Sequence, residues 1–128
     1  CIPVPVEDFE KTWQRLTALE KITYVTQSPG IVTEWGGKLP ELSEHHNMLN
    51  MQQSDCSLKG HIFHAQIAGL WLLDKPFFGL RSLSLQVMHE SGSAMFGIYM
   101  GRENRELMPD GLALFEELQR QYGEDACC

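Results

Sequence analysis

The chain has 128 residues, 43% of them hydrophobic and 21% charged, the balance of an ordinary globular protein with one core. Its 17 acidic against 10 basic residues give a net charge of −7, a field that repels phosphate backbones and anionic lipid and so excludes nucleic acid and membrane surfaces as main partners. No apolar run approaches the roughly 20 residues of a membrane helix, since the longest, Ile67 to Leu73, contains Gly69 and stops at Asp74-Lys75.

Glu7-Asp8 open a first helix reaching about Leu19, with Phe9, Trp13 and Leu16 on one apolar face. From Lys21 the pattern changes to strands. Ile22 to Thr26 is rich in β-branched and aromatic residues, Ser28-Pro29-Gly30 signals a turn, and Ile31 to Trp35 is a second strand closed by Gly36-Gly37. Lys38 to Glu44 reads as loop, His46 to Gln52 as a third strand and Ser54-Asp55 as a turn. Leu58 to Ala65 and Ala68 to Leu73 read as the arms of a hairpin, with Lys75-Pro76 and Gly79 breaking the pattern. Leu83 to Val87 alternates strictly, which buries one face and leaves the other wet or facing a ligand. Glu90-Ser91-Gly92 turns the chain into a strand from Ser93 to Met100. After Gly101 comes a polar stretch, and Pro109-Asp110-Gly111 precedes a final helix near Leu112 to Tyr122 with Leu112, Phe115 and Leu118 as its stripe. Helix, consecutive strands, then helix predicts a single α+β domain on an antiparallel sheet, which must curl or dimerise to protect its edges.

The opening residues, Cys1 to Asp8, lack the basic-then-apolar pattern of a secretory signal. The chain begins at Cys1 rather than Met, which leaves room for earlier residues; a lipid-bearing N-terminal cysteine would begin the same way, and no leader supports it. Cys1, Cys56, Cys127 and Cys128 form neither a disulfide framework nor a CxxC knuckle and fit reduced cytosolic thiols, although the adjacent tail pair suits a soft metal.

The histidines are the most informative polar residues. His61 lies in Lys59-Gly60-His61-Ile62-Phe63, where alternation places His61, Phe63 and Lys59 on one strand face and Ile62 and His64 on the other. The HxxH spacing is therefore not a zinc motif. Gly60 removes a side chain beside His61, which would let a flat ligand approach closely, although a strand histidine is as a rule a hydrogen-bonded structural residue. His45-His46 is a loop pair able to chelate or simply to be solvated, and His89 lies beside a turn. The methionines are mostly core filler, with one as a possible soft axial ligand. The sequence has no GxSxG elbow, P-loop, GxGxxG turn or HExxH.

Gly60-His61-Ile62, Phe77-Phe78-Gly79, and Gly92-Ser93-Ala94-Met95 followed by Ile98 and Gly101-Arg102 resemble the ChuX/HutX haem-utilisation family. Val4-Pro5, Phe9 and Trp13 are similar to that family's first helix, and Gly37 with Leu39-Pro40 to its early loop. The likeness runs from about Val4 to the final helix; an N-terminal helical segment found in many members is not in this sequence. It implies a curved antiparallel sheet flanked by N- and C-terminal helices, forming a homodimer similar to the duplicated HemS-type chain, with residues 1–128 as one haem-carrier domain. It further implies a cytoplasmic protein that carries or stores b-type, non-covalent haem during bacterial haem uptake and hands it to a haem-accepting or haem-degrading protein. His61 matches the family's proposed iron ligand. Gln27 stands where some relatives have another histidine, Met48 where some have a tyrosine linked to haem, and Gly97 where a lysine commonly precedes the Gly-Arg pair.

A haem site needs an apolar wall, an oriented imidazole and basic groups for two carboxylates. Phe63 fits the wall and Lys59 a propionate, with Arg102, Arg81 and Arg105 more remote. A carrier rather than an enzyme is expected, because no clear distal acid or base accompanies His61. The alternatives are a haem-degrading enzyme, or a relative that no longer binds haem and holds a divalent metal through His45, His46 and Cys127-Cys128.

Overall fold

A computed structural model describes residues 1–77 and 79–123, the side chain of Phe77 excepted. It is an α+β fold of antiparallel sheets with two helices. The larger sheet has six strands: β1 (Ile2–Val4), β2 (Ile22–Ser28), β3 (Ile31–Gly37), β7 (Ile67–Phe77), β8 (Leu80–His89) and β9 (Ala94–Met100), in the order β1-β7-β8-β9-β2-β3. A smaller sheet joins β4 (Leu42–His45), β5 (Met48–Met51) and β6 (Gly60–Ile62). A minor hairpin, β10 (Arg102–Glu103) and β11 (Glu106–Leu107), precedes α2 (Pro109–Gly123), while α1 (Phe9–Leu16) follows a 3-10 turn at Val6–Asp8.

The alternation read in Leu83 to Val87 is met by a sheet with one core face. Leu83, Leu85 and Val87 of β8 are buried together with Leu70 and Leu72 of β7 and Phe96 and Ile98 of β9. Onto this layer α1 brings Phe9, Trp13 and Leu16, and α2 brings Phe115 and Leu118. Phe9, Trp13, Phe96 and Tyr24 form an aromatic cluster with ring centroids 5.1–6.2 Å apart, and burial there pushes the Tyr24 phenol above its ordinary pKa. Trp13 is fully buried, and its indole Nε1–H donates to the Pro40 carbonyl at 2.7 Å. That bond fixes the entry to the small sheet relative to the large one.

Several elements differ from the sequence reading. Lys38 to Glu44 is not all loop: Leu42–His45 is a strand, joined to β5 by His46 and Asn47 at φ 54° and 61°. Two left-handed residues in a two-residue loop make a type I′ turn, whose twist matches the flanking strands. Leu58 to Ala65 and Ala68 to Leu73 are not hairpin partners, because a 3-10 turn at His64–Gln66 redirects the chain. β6 pairs with β5, while β7 lies between β1 and β8. Lys75-Pro76 does not end β7. Pro76 pairs with Arg81 of β8, and β1 covers β7 only at Leu70–Leu72, so the proline's missing N–H faces an open edge. Val4 belongs to β1 rather than to the first helix. The polar stretch after Gly101 contains the β10–β11 hairpin, turned by Asn104 and Arg105 at φ 53° and 68°. Gly101 has no room for a side chain, since a Cβ would press on the Lys21 carbonyl.

Trp13 therefore serves as both core volume and hydrogen-bond donor. Trp13→Ala should cost about 3–5 kcal/mol. Trp13→Phe, which keeps most of the packing but leaves the Pro40 carbonyl unpaired, should cost about 1–3 kcal/mol. Urea unfolding of the two variants checks this order, and equal losses would show that the hydrogen bond contributes nothing separable.

Candidate functional site

The small sheet has two unlike faces. Leu49 and Met51 of β5 and Ile62 of β6 are buried in the core, and alternation turns Asn50 and His61 to the opposite side. In the register of the sheet, Ser43 of β4 pairs with Asn50, and Asn50 pairs with His61. Directly opposed residues in an antiparallel sheet share a face, so these three form one cross-strand row.

Hydrogen bonds run along this row. The Asn50 Nδ2–H donates to the Ser43 carbonyl at 3.2 Å, which fixes the orientation of the amide. Its Oδ1 then lies 2.5 Å from His61 Nδ1. An amide oxygen can only accept, so Nδ1 must carry the proton. In neutral imidazole the other nitrogen, Nε2, then holds the free lone pair. Asn50 is 6% exposed whereas His61 is exposed, and Nε2 has no hydrogen-bond partner among the described residues. The arrangement is a preset ligand: one nitrogen clamped from below, the other presented outward.

Phe63 follows β6 at the start of the 3-10 turn and is 53% exposed, a large apolar residue open to solvent. Met48 lies two residues from Asn50 along β5, on the same face and half-buried. Lys59 is exposed, its ammonium donating to the Gln53 carbonyl at 3.3 Å. The glycine beside His61 has another use than the one read from sequence. A Cβ on Gly60 would lie 3.1 Å from the Met51 side chain, so the missing side chain makes room on the core face, away from His61.

Gln27 and Arg102 lie on β2 and β10. Gln27 is exposed near the end of β2, paired with Val32 in the large sheet. Arg102 starts β10; its Nη1 donates to the Arg105 carbonyl, and its Nη2 is buried without a partner. Gly97 is buried in β9 under the Gln86 amide, where a Cβ would come within 2.8 Å, so a lysine there would displace Gln86. His45 and His46 have ring centroids 4.0 Å apart at the β4–β5 turn. His61 and His64 do not act as a pair, His61 being on the outer face of β6 and His64 in the following 3-10 turn. His89 is held by Ser91 and Gln66. Cys127 and Cys128 lie outside the described residues, as does Phe78. Sequence reasoning missed Asn50 altogether; the His46-Asn47 turn was the signal that would have paired it with Ser43.

A family model for haem utilisation, ChuX/HutX, matches residues 2–118. The chain belongs to this family. It is 30% identical over 102 residues to the intracellular heme transport protein HutX of Vibrio cholerae, covering 79% of this chain and 53% of that protein. The chain thus spans about half the length of this relative. Among solved structures, a protein from Agrobacterium tumefaciens matches with a TM-score of 0.89 at 34% identity, covering 94% of this chain and 70% of that one. Crystalline ChuX matches with a TM-score of 0.88 at 24% identity over 95% of this chain and 76% of its own. The HemS-type fold is also similar: haem-loaded PhuS of Pseudomonas aeruginosa gives a TM-score of 0.76 at 17% identity, covering 98% of this chain and 35% of that one. These last two establish fold alone. For this ChuX/HutX member the α+β expectation is met, and no described helix is long and apolar enough to cross a membrane.

The hydrogen-bond row makes a prediction that needs no ligand. At a pH where the ring is neutral, His61 should carry its proton on Nδ1, whereas Asn50→Leu should shift it toward Nε2. Long-range ¹⁵N–¹H NMR of the imidazoles distinguishes the two tautomers, and a parent protein with Nε2–H would refute the clamp.

Proposed function

We propose that this ChuX/HutX member is a cytoplasmic haem carrier or store, a single haem-carrier domain over residues 1–128 that holds b-type haem non-covalently with His61 Nε2 as the iron ligand. One observation carries the reading: an exposed imidazole whose Nδ1–H is donated to a buried, oriented amide, leaving Nε2 free. Haem iron takes neutral imidazole, and an acceptor on the far nitrogen raises its basicity and fixes its plane. A closed interior around His61 would have barred a flat disc, and the ring instead stands on an open sheet face.

Met48 and Phe63 supply apolar surface on one side of the His61–Asn50 row, since the register that pairs Leu49 with Ile62 carries position 48 toward position 63. Lys59 is the basic group beside the imidazole and the proposed propionate partner. Gln27 on β2 and Arg102 on β10 are assigned no contact in this arrangement. An open site with one strong ligand favours release, as transfer to an accepting or degrading protein requires. The family description and the intracellular transport assigned to the Vibrio cholerae relative support this role.

A homodimer is part of the proposal. The face of the large sheet opposite the helices carries Trp71, 36% exposed, with Leu73, Met88, Val25 and Tyr99 half-buried around it. Such an apolar sheet face is stabilised by a partner.

Haemin titrated into the apoprotein should give a defined Soret band. His61→Ala should displace that band, and Asn50→Leu should keep its position while weakening affinity by about 10–100-fold. An unaltered spectrum in His61→Ala would remove this residue from the site. Sedimentation at micromolar concentration should give twice the monomer mass, with Trp71→Glu lowering it toward the monomer; a monomeric parent would refute the dimer.

A further inference from the structure

Three side chains from separate elements converge beside the small sheet, and none belongs to the proposed haem site. Glu10 lies in the first turn of α1, Glu44 in β4 and His64 in the turn after β6. One ligand atom from each lies within 4.8 Å of the others. Pairing does not explain this closeness. Among the described residues neither carboxylate has a cationic partner within 4.0 Å, and His64 forms no ion pair with either. His64 Nδ1 is also buried with no hydrogen-bond partner. Two carboxylates brought together repel unless positive charge lies between them, and a buried unpartnered ring nitrogen is unfavourable as well.

We propose that Glu10, Glu44 and His64 form a binding site for a divalent first-row transition-metal ion, of which zinc is the representative. One positive ion between the three groups offsets the carboxylate repulsion and takes an imidazole nitrogen of His64 as a ligand. Bonds from such an ion to imidazole nitrogen and carboxylate oxygen are about 2.0–2.2 Å. Its donors therefore lie roughly 3–4 Å apart, a spacing the cluster reaches by small side-chain rotations. The separation is too wide for direct hydrogen bonds and suited to an intervening ion. The nitrogen donor disfavours calcium and magnesium, and the lack of thiolate disfavours cuprous ion. Three protein ligands leave a position for water. There is space for it, because Glu10 and His64 line a cavity of about 220 Å³ with Val6, Glu7, Phe9 and Ile67. The net charge of −7 favours cation entry. The bound ion would tie α1, β4 and the turn after β6 together, bracing the sheet that carries His61 from the side away from that ring. The inference does not depend on haem binding.

The test is calorimetric titration of zinc chloride into the haem-free 128-residue chain carrying C127S and C128S, which removes the tail thiols as competing ligands. One zinc per chain and a higher melting temperature are expected. Glu44→Gln and His64→Gln should each weaken zinc by on the order of tenfold or more and abolish the thermal shift. The double variant H45Q/H46Q and His61→Ala should bind as the parent does, which separates this site from the haem reading. Parent-like affinity in Glu44→Gln and His64→Gln, loss in H45Q/H46Q instead, or no stoichiometric zinc at all would each overturn the proposal. If His64→Gln does not fold, Glu10→Gln and Glu44→Gln, both at exposed positions, decide the question alone.

Discussion

The two-residue period of a β-strand is the constraint on which the functional surface depends. In β5 and β6 it sends Leu49, Met51 and Ile62 into the core and Asn50 and His61 out of it. A one-residue slip in either strand would exchange these sets and bury an imidazole in an aliphatic interior. The register is held from both sides. The buried trio resists slippage by its hydrophobic transfer energy, and the tight His46-Asn47 turn fixes β4 against β5. Gly60 belongs to the same device, because its bare Cα lets Met51 pack against β6.

The fold divides its labour between two sheets. The six-stranded sheet with α1 and α2 holds most of the buried core and behaves as scaffold. The three-stranded sheet is short, built from strands of three and four residues, and would be marginal alone. It is held by the shared core and by hydrogen bonds from outside it: Trp13 to Pro40, and Trp35 Nε1 to Ser57 at 2.8 Å. Local opening of such a weakly self-sufficient element would leave the main core intact.

Charge and polarity follow the same division. The molecule is acidic overall, yet the row of the small sheet that carries His61 is built from neutral groups, Ser43 and the buried Asn50, with the half-buried Met48 on the same face. The proposed ligand, a porphyrin dianion, would be repelled by a carboxylate-lined surface. The acidic pair Glu10 and Glu44 is kept with His64 away from the His61 row, where a cation rather than an anion is favoured.

The sequence by itself determined the α+β class, the positions of both helices, the alternating face of β8 and the isolation of His61 from His64, because each depends on local periodicity and turn chemistry. Family likeness in the Gly-His-Ile and Gly-Ser-Ala-Met segments singled out His61 before any partner was visible. Only the tertiary structure decided that β6 leaves β7 to join β5, that Gly60 serves the core, and that Asn50 holds His61 from beneath. It also gathered Glu10, Glu44 and His64 from positions far apart in the chain. Pairings of this kind depend on which strand edges remain free once the core has packed, and no local pattern of residues carries that information.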